Sequence, residues 1–515
     1  MGNGMVGNVM SPDARTYEHL FGTEHIAEQL GAKSIRGGLN TLVAEGASFV
    51  LRLGATTVLA RLLIPEHFGL IAMVTAITAI AERSKDLGLS TATVQRKELS
   101  HEQVSALFWI NTGLGTLLML IVAASSPAIA WFYGDHRLVA ITLALSSSFF
   151  FGGLTVQHEA LLRRQMRFGQ LACIQIISTL LSLAVSVWLA WQGFGYWALV
   201  WKEVARSVCF AAGTWYLCRW RPSMSVRNSG IAPMLRFGGD ITTFNIMHHL
   251  SRSLDQILVG RLWGAGPLGF YRQANQLVSV TINQLQFPVD YVAEPLLSTL
   301  QKEPDRYRES YRKIISALSF AMMPLAMYLI VYSEELVMLL LGNKWLGSVA
   351  IFRMLAIAAF IQPVASTGGF VMVTCGKSGR YVRWGIMSAI SVIAAVCVGA
   401  YWGPLGVATA YAIRNYITCI PFLRFSFRDT PVSIPLFFEA ISIPVFSSLL
   451  MGAVLMGVSP QIEASHNLLK IPLSLLLASS SYLGIWLLFP GGKQKLAELS
   501  SYLLVTFKTV PHGKK

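Results

Sequence analysis

The stretch Gly238–Gly269, GGDITTFNIMHHLSRSLDQILVGRLWGAGPLG, is long and apolar enough for a helix across a bilayer, yet it carries Asn245, His248, His249, Arg252, Asp255 and Gln256. At 100° per residue these six fall within roughly 120° of one another and form one polar stripe. Lipid penalises such a face, whereas a helix lining a wet cavity retains it. Arg261 lies on the opposite side, near the end of the span, where its stem lets the charge reach the headgroups.

The same helix recurs 200 residues earlier: Gly38, Arg52, Arg61, Leu62 and Gly69 match Gly238, Arg252, Arg261, Leu262 and Gly269. In that copy Thr41, Glu45, Ser48, Arg52 and Thr56 make the corresponding stripe. Gly195 and Arg206 return as Gly403 and Arg414 at an offset of 208. Arginines at matched depth in paired helices indicate an internal duplication.

Only 13% of the 515 residues are charged, 54% are hydrophobic, and the mean hydropathy is +0.53. A soluble chain carries about 25% charged residues, so this is a polytopic membrane protein. Spanning-length apolar segments fall near 38–62, 68–89, 104–132, 138–160, 171–191, 195–217, 236–262, 269–294, 313–341, 346–374, 381–402, 404–423, 434–457 and 468–489. Six spans per copy make the copies parallel, related by an axis along the membrane normal. The expected fold is an all-α polytopic membrane protein of about 14 transmembrane helices, two six-helix lobes plus two C-terminal helices. Its parts are a tail (1–35), an N-lobe (36–217), a linker (218–234), a C-lobe (235–427), a helix pair (428–490) and a C-terminal tail (491–515).

With the N-terminus inside, the loops on the cytoplasmic side hold 21 basic residues and the outward loops two, Arg137 and Lys344. That bias puts both termini in the cytoplasm of a multi-pass protein of the bacterial inner membrane. The net charge of +15 therefore concerns topology and anionic lipid rather than nucleic acid. Met1–Lys33 lacks a signal peptide's apolar core; Tyr17–Leu30 reads as a short surface helix or as part of a disordered tail. The six cysteines have no CxxC spacing and read as buried thiols, with no metal or cofactor implied. The outward connections are too short for an external catalytic domain, and no GxxxxGK[ST] motif is present, so transport would draw on a gradient rather than on ATP. The chain is not expected to be an enzyme.

Arg52, Arg206, Arg252 and Arg414 fall near the middles of their spans, Lys202 lies one turn from Arg206, and Arg272 and Arg353 add cations. A guanidinium at that depth costs at least ~2.5–3.5 kcal/mol, which asks for a compensating role. One reading pairs Arg52 with Glu45 and Arg252 with Asp255 as interhelical struts. The other is recognition of an anion, a phosphate, by arginine's planar donor fork. Glu45, His248, His249 and Asp255 are candidates for ion or proton coupling, with neutral histidines in a cavity wall as the plainer alternative. Pro288, Pro295 and Pro324 are expected to kink or break their helices.

Ala60-Arg61-Leu62-Leu63-Ile64-Pro65 with Phe68-Gly69-Leu70, Asp86-Leu87-Gly88-Leu89-Ser90 with Gln95, and Leu341-Gly342-Asn343-Lys344-Trp345 with Phe352-Arg353-Met354-Leu355 resemble motifs of Wzx-type oligosaccharide flippases, over roughly 36–490. The resemblance implies membership of the multidrug/oligosaccharidyl-lipid/polysaccharide exporter superfamily and alternating access. It implies an undecaprenyl-pyrophosphate-linked oligosaccharide as substrate, moved from the cytoplasmic to the periplasmic leaflet for exopolysaccharide, capsule or O-antigen assembly. It further implies substrate-binding roles in a cationic cavity for Arg52, Arg206, Arg252, Arg272, Arg353 and Arg414, a lipid-tail groove at the 434–489 pair, and work beside polysaccharide polymerase machinery. The rival readings are a drug/cation antiporter on the same fold, which would need a net-negative cavity, and a membrane polysaccharide polymerase or ligase.

Overall fold

The computed structural model describes residues 46, 49–96, 99–224, 253–463, 467–489, 492–494 and 496. All regular elements among them are helical. In chain order they are α1 (49–62), α2 (Pro65–Ser84), α3 (Leu89–Gln95), α4 (His101–Ala124), α5 (Ser126–Tyr133), α6 (Arg137–Arg164), α7 (Phe168–Trp191) and α8 (Trp197–Cys218). Then follow α9 (253–263), α10 (Ala265–Thr299), α11 (Pro304–Val331), α12 (Ser333–Leu340), a 3-10 turn (Asn343–Ser348), α13 (Val349–Thr374), α14 (Ser378–Gly399), α15 (Gly403–Phe427), α16 (Ile434–Glu463) and α17 (Asn467–Leu488). A helix falls in each of the fourteen apolar segments, and 8 helical stretches among the described residues are long and apolar enough to cross a membrane. One of these, Ser378–Phe427, holds both α14 and α15. The chain is an all-helical, multi-pass membrane protein. Its exposed apolar side chains, such as Leu117, Ile177, Ile390 and Leu476, face where lipid would be.

One sequence expectation narrows and one changes. α10 runs unbroken through Pro288 and Pro295, and α11 continues through Pro324, so these prolines do not end their helices. In a bilayer the backbone groups a proline frees can be satisfied by neighbours and local adjustment. The cysteines are not uniformly buried: Cys218 and Cys419 are, but Cys173 and Cys397 are exposed. A thiol is a small hydrophobe and suits a lipid-facing surface as well as a core.

The duplication is written in the backbone. Left-handed residues recur in pairs: Gly134 with Gly342 and Gly195 with Gly403 at an offset of 208, Met166 with Gly376 and Arg219 with Asp429 at 210. The short helices α5 and α12 follow the same break in each copy, after Ser125 and after Tyr332.

Contacts divide the described residues into two compact units. Of the described residues, unit 1 holds 46, 49–55, 74–96 and 99–224; unit 2 holds 56–73, 253–463, 467–489, 492–494 and 496. The tip formed by the end of α1 and the start of α2 thus belongs by sequence to the first repeat and by packing to unit 2.

Inside unit 1, Phe108, His158, Trp215 and Trp220 pack together, with the His158 ring stacked on Trp215 at 4.5 Å. A buried polar chain runs from Thr93 to Gln157 Oε1 at 2.8 Å, and from Gln157 to Asn111 Oδ1 at 2.9 Å. Arg164 caps α3, donating to the carbonyls of Thr93 at 3.1 Å and Val94 at 3.3 Å.

Unit 2 is pinned by tyrosines of α11. Tyr311 bonds Thr367 at 2.9 Å, Tyr307 bonds Thr374 at 2.7 Å, and Tyr328 bonds Ser474 of α17 at 2.9 Å. Its other anchor is the 56–73 tip. A Cβ on Gly69 would run into the Ala265 carbonyl, and one on Gly269 into the Pro65 carbonyl. The two contacts exchange under the 200-residue offset, as a local two-fold requires. Trp345 Nε1 donates to the Ala60 carbonyl at 2.8 Å, Lys344 to that of Arg61 at 3.2 Å, and Arg61 to that of Leu339 at 2.6 Å. The Trp345 ring meets Phe68 at 5.2 Å and Phe270 at 6.1 Å. The first and third motifs quoted above therefore touch.

Gly69→Ala or Gly269→Ala should each destabilise the folded protein by about 1–3 kcal/mol or more, since backbone rather than side chain must yield. Gly54→Ala, with nothing within 4 Å of its added Cβ, is the control. Thermal unfolding in detergent checks this, with a clear drop for the first two and none for the third.

Candidate functional site

α8 is a helix inside an apolar segment that nonetheless carries three charges on adjoining positions. Lys202, Glu203 and Arg206 share a face because residues three and four apart are neighbours on a helix. Glu203 Oε1 lies 3.1 Å from Lys202 Nζ, and Glu203 Oε2 accepts from Arg206 Nε at 3.3 Å. One carboxylate facing two cations leaves a local excess of positive charge, and the Arg206 side chain is 51% exposed.

Arg414 occupies the matching place in α15 and solves the problem differently. Its guanidinium donates to Ser391 Oγ at 2.9 Å, to the Ser388 carbonyl at 3.2 Å and hydroxyl at 2.5 Å, and to Asn415 Oδ1 at 3.0 Å. All of these acceptors are neutral. Ser388 and Ser391 are three residues apart on α14, so both hydroxyls point at α15. The charge is oriented and partly buried, and its acceptors leave it uncancelled.

A third cluster joins α9 to α10. Asp255 accepts from Tyr271 Oη and from the Gln256 backbone N–H, both at 2.8 Å. Tyr271 is buried, and Tyr411 lies one turn before Arg414 on α15. Asp255 and Tyr271 thus form a polar pair across α9 and α10 of unit 2. Arg272 follows Tyr271 and is half-buried, and Gln276 donates to Thr56, a member of the expected α1 stripe, at 3.1 Å.

The remaining candidates lie elsewhere. Arg52 is an exposed residue of α1 in unit 1. Arg353 sits near the start of α13, exposed, and donates to Ser333 Oγ at 2.9 Å at the start of α12. Arg252, Glu45, His248 and His249 lie outside the described residues. Among the described residues, no group of three His, Cys, Asp or Glu side chains is placed to hold a metal ion.

Sequence reasoning missed Tyr271, Ser388 and Ser391. The serines carried a usable signal, because Ser391 and Arg414 lie at similar distances on either side of the 400–402 turn and so at similar depth. Tyr271 sits beside the singled-out Arg272, in a helix that follows α9 directly.

A family described as polysaccharide biosynthesis protein matches residues 58–350. The chain belongs to that family. The chain is similar to the teichuronic acid biosynthesis protein TuaB of Bacillus subtilis, 27% identical over 81% of this chain and 88% of that protein. The lipopolysaccharide biosynthesis protein WzxC of Escherichia coli is 25% identical over 83% and 89%. The fold is similar to that of the lipid II flippase MurJ in an inward closed conformation, with a TM-score of 0.70, 14% identity, and coverage of 88% of this chain and 98% of that one.

Tyr271→Phe should leave the half-buried Asp255 carboxylate without its side-chain donor and lower stability by about 1–3 kcal/mol. Adding Asp255→Asn removes the charge and should recover part of the loss. Thermal unfolding of the two single variants and the double variant measures the coupling, and additive effects would mean that the pair is not a unit.

Proposed function

We propose that this polysaccharide biosynthesis protein is a flippase that moves a polyprenyl-pyrophosphate-linked oligosaccharide from the cytoplasmic to the periplasmic leaflet of the bacterial inner membrane. The product feeds exopolysaccharide, capsule or O-antigen assembly, where polysaccharide polymerase machinery would act on it. Both termini lie in the cytoplasm in this reading, lobes 36–217 and 235–427 alternate access, and the 428–490 pair serves the lipid.

The observation that carries it is Arg414. A guanidinium near the middle of a span costs at least ~2.5–3.5 kcal/mol, and among the described residues this one is held by hydroxyl, carbonyl and amide oxygens. Such a group is oriented for a ligand that brings its own negative charge, and arginine's fork suits a phosphate. The two cations around Glu203 supply the same excess on α8. Arg52, Arg252 and Arg272 are proposed to contribute to the same cationic path, with Arg353 at its outer end. Positive charge of this kind repels the substrates of a cation antiporter. The names of the relatives fit an intermediate of polysaccharide assembly, and the shared fold is one in which a lipid-linked substrate is flipped.

With the interior negative, moving an anion outward is favoured by about 2.3 kcal/mol per charge per 100 mV, less any arginine charge that moves with it. Asp255, held by Tyr271, is the proposed coupling group among the described residues, with Glu45, His248 and His249 as further candidates. No residue forms a covalent bond to the sugar in this scheme.

Arg414→Ala and Arg206→Ala should each reduce polymer output in cells at least roughly tenfold at matched protein level, the loss expected for charge-assisted hydrogen bonds made during transport. Arg414→Lys should rescue in part, keeping the charge and losing the fork. Full output from Arg414→Ala would overturn the anion-binding role.

A further inference from the structure

Where α14 begins and α15 ends, at the end of unit 2 that the charge bias assigns to the cytoplasm, three cations converge on one carboxylate. Asp429 Oδ2 lies 3.0 Å from Arg380, 3.9 Å from Arg428 and 4.0 Å from Lys377. Arg380 also donates to the Arg428 carbonyl, and Arg308 of α11 to the Pro431 carbonyl at 2.7 Å, so the turn is braced from two helices. The Arg380 guanidinium holds the Asp429 carboxyl below the usual carboxylate range. The Arg380 side chain is 17% exposed, whereas those of Asp429 and Arg428 are open at 63% and 80%. Three cations against one acid leave an excess that faces water.

The internal repeat shows that the fold does not require this set. In unit 1 the equivalent left-handed pair is Met166 and Arg219, matching Gly376 and Asp429. At the same 210 offset, Gln170 stands where unit 2 has Arg380, and the buried Cys218 stands where it has Arg428. Arg167 stands where unit 2 has Lys377, but the turn forms there without counterparts of Arg380 and Arg428 and without the acid.

The surroundings are those of a headgroup layer. One turn beyond Arg380, Trp384 lies 5.0 Å from the Phe422 ring and 5.6 Å from Phe425, and the Arg380 guanidinium carbon lies 6.0 Å from the Phe425 ring. Aromatic rings collect at this depth of a bilayer. Further along α14, Ile386, Met387 and Ile390 are exposed apolar side chains, a surface for acyl chains.

We propose that Lys377, Arg380 and Arg428 form a docking site for the phosphate of an anionic phospholipid in the cytoplasmic leaflet, with Asp429 occupying the cations when no lipid is bound. The lipid phosphodiester displaces a carboxylate that is exposed to water and competes for the same cations. The site needs no substrate turnover, so its test is independent of the flipping proposal.

The sign at Asp429 separates this from a structural ion pair. Asn keeps the left-handed turn, which it tolerates well, and removes the competing charge. Full-length purified protein in nanodiscs of phosphatidylcholine would be titrated with labelled phosphatidylglycerol. Asp429→Asn should raise its retention about fivefold, and Arg380→Gln or Arg428→Gln, which removes a cation, should lower it about fivefold, the effect of one charge at a membrane surface. Equal retention of the anionic and zwitterionic lipids, or unchanged or weaker binding in Asp429→Asn, would overturn the proposal. Displacement of the lipid by inorganic pyrophosphate at equal concentration would overturn the lipid as the occupant, and failure to displace it would support the lipid.

Discussion

The tightest backbone approach at a glycine among the described residues is the crossing of Pro65–Gly69 on Ala265–Gly269, where two helix starts come together until neither glycine can carry a side chain. The contact is its own image under the 200-residue repeat, and it ties the tip of the first hairpin to unit 2. Trp345 and Arg61 then lock that tip by hydrogen bonds to main-chain carbonyls. These are bonds to backbone, so they fix position whatever the neighbouring side chains are. Within unit 2 the tip also reaches α10 through the bond from Gln276 to Thr56.

That geometry gives meaning to charges that a bilayer would otherwise penalise. In α8 a carboxylate holds two cations, and in α15 hydroxyl and amide groups hold one. Both arrangements orient positive charge without cancelling it. A purely structural role would favour an equal count of acids, because an uncompensated buried charge is costly and a paired one much less so. The cytoplasmic turn at Asp429 follows the same pattern in water, where the cost is small and the surplus is available to lipid.

Much of the fold was legible in the sequence because bilayer physics leaves few options: apolar length announces helices, and the matched pairs Gly69 with Gly269 and Gly195 with Gly403 announce the repeat. Proline did not mark helix ends, since α10 and α11 pass through Pro288, Pro295 and Pro324. The candidate site was half legible. Lys202 and Arg206 share a helix, so spacing alone put them together. Arg414 was visible as a charge, but its partners Ser388 and Ser391 sit on another helix, where periodicity sees only small polar residues in an apolar run. Tyr271 was hidden for a related reason: its ring counts as apolar, and only packing shows that its hydroxyl reaches Asp255. The left-handed turns at Met166 and Asp429 were equally invisible, because neither is a glycine.

The central claim is that positive charge held inside the spans carries a lipid-linked anion across the bilayer without altering it. The most direct measurement reconstitutes the purified protein in liposomes with a labelled polyprenyl-pyrophosphate oligosaccharide in one leaflet. It follows arrival in the other leaflet together with the mass of the lipid, for the unaltered protein and for Arg414→Gln. The account predicts transfer at unchanged mass, slowed at least roughly tenfold in the variant. Equal transfer rates in the two proteins, or a lipid that emerges longer or stripped of its sugar, would contradict it.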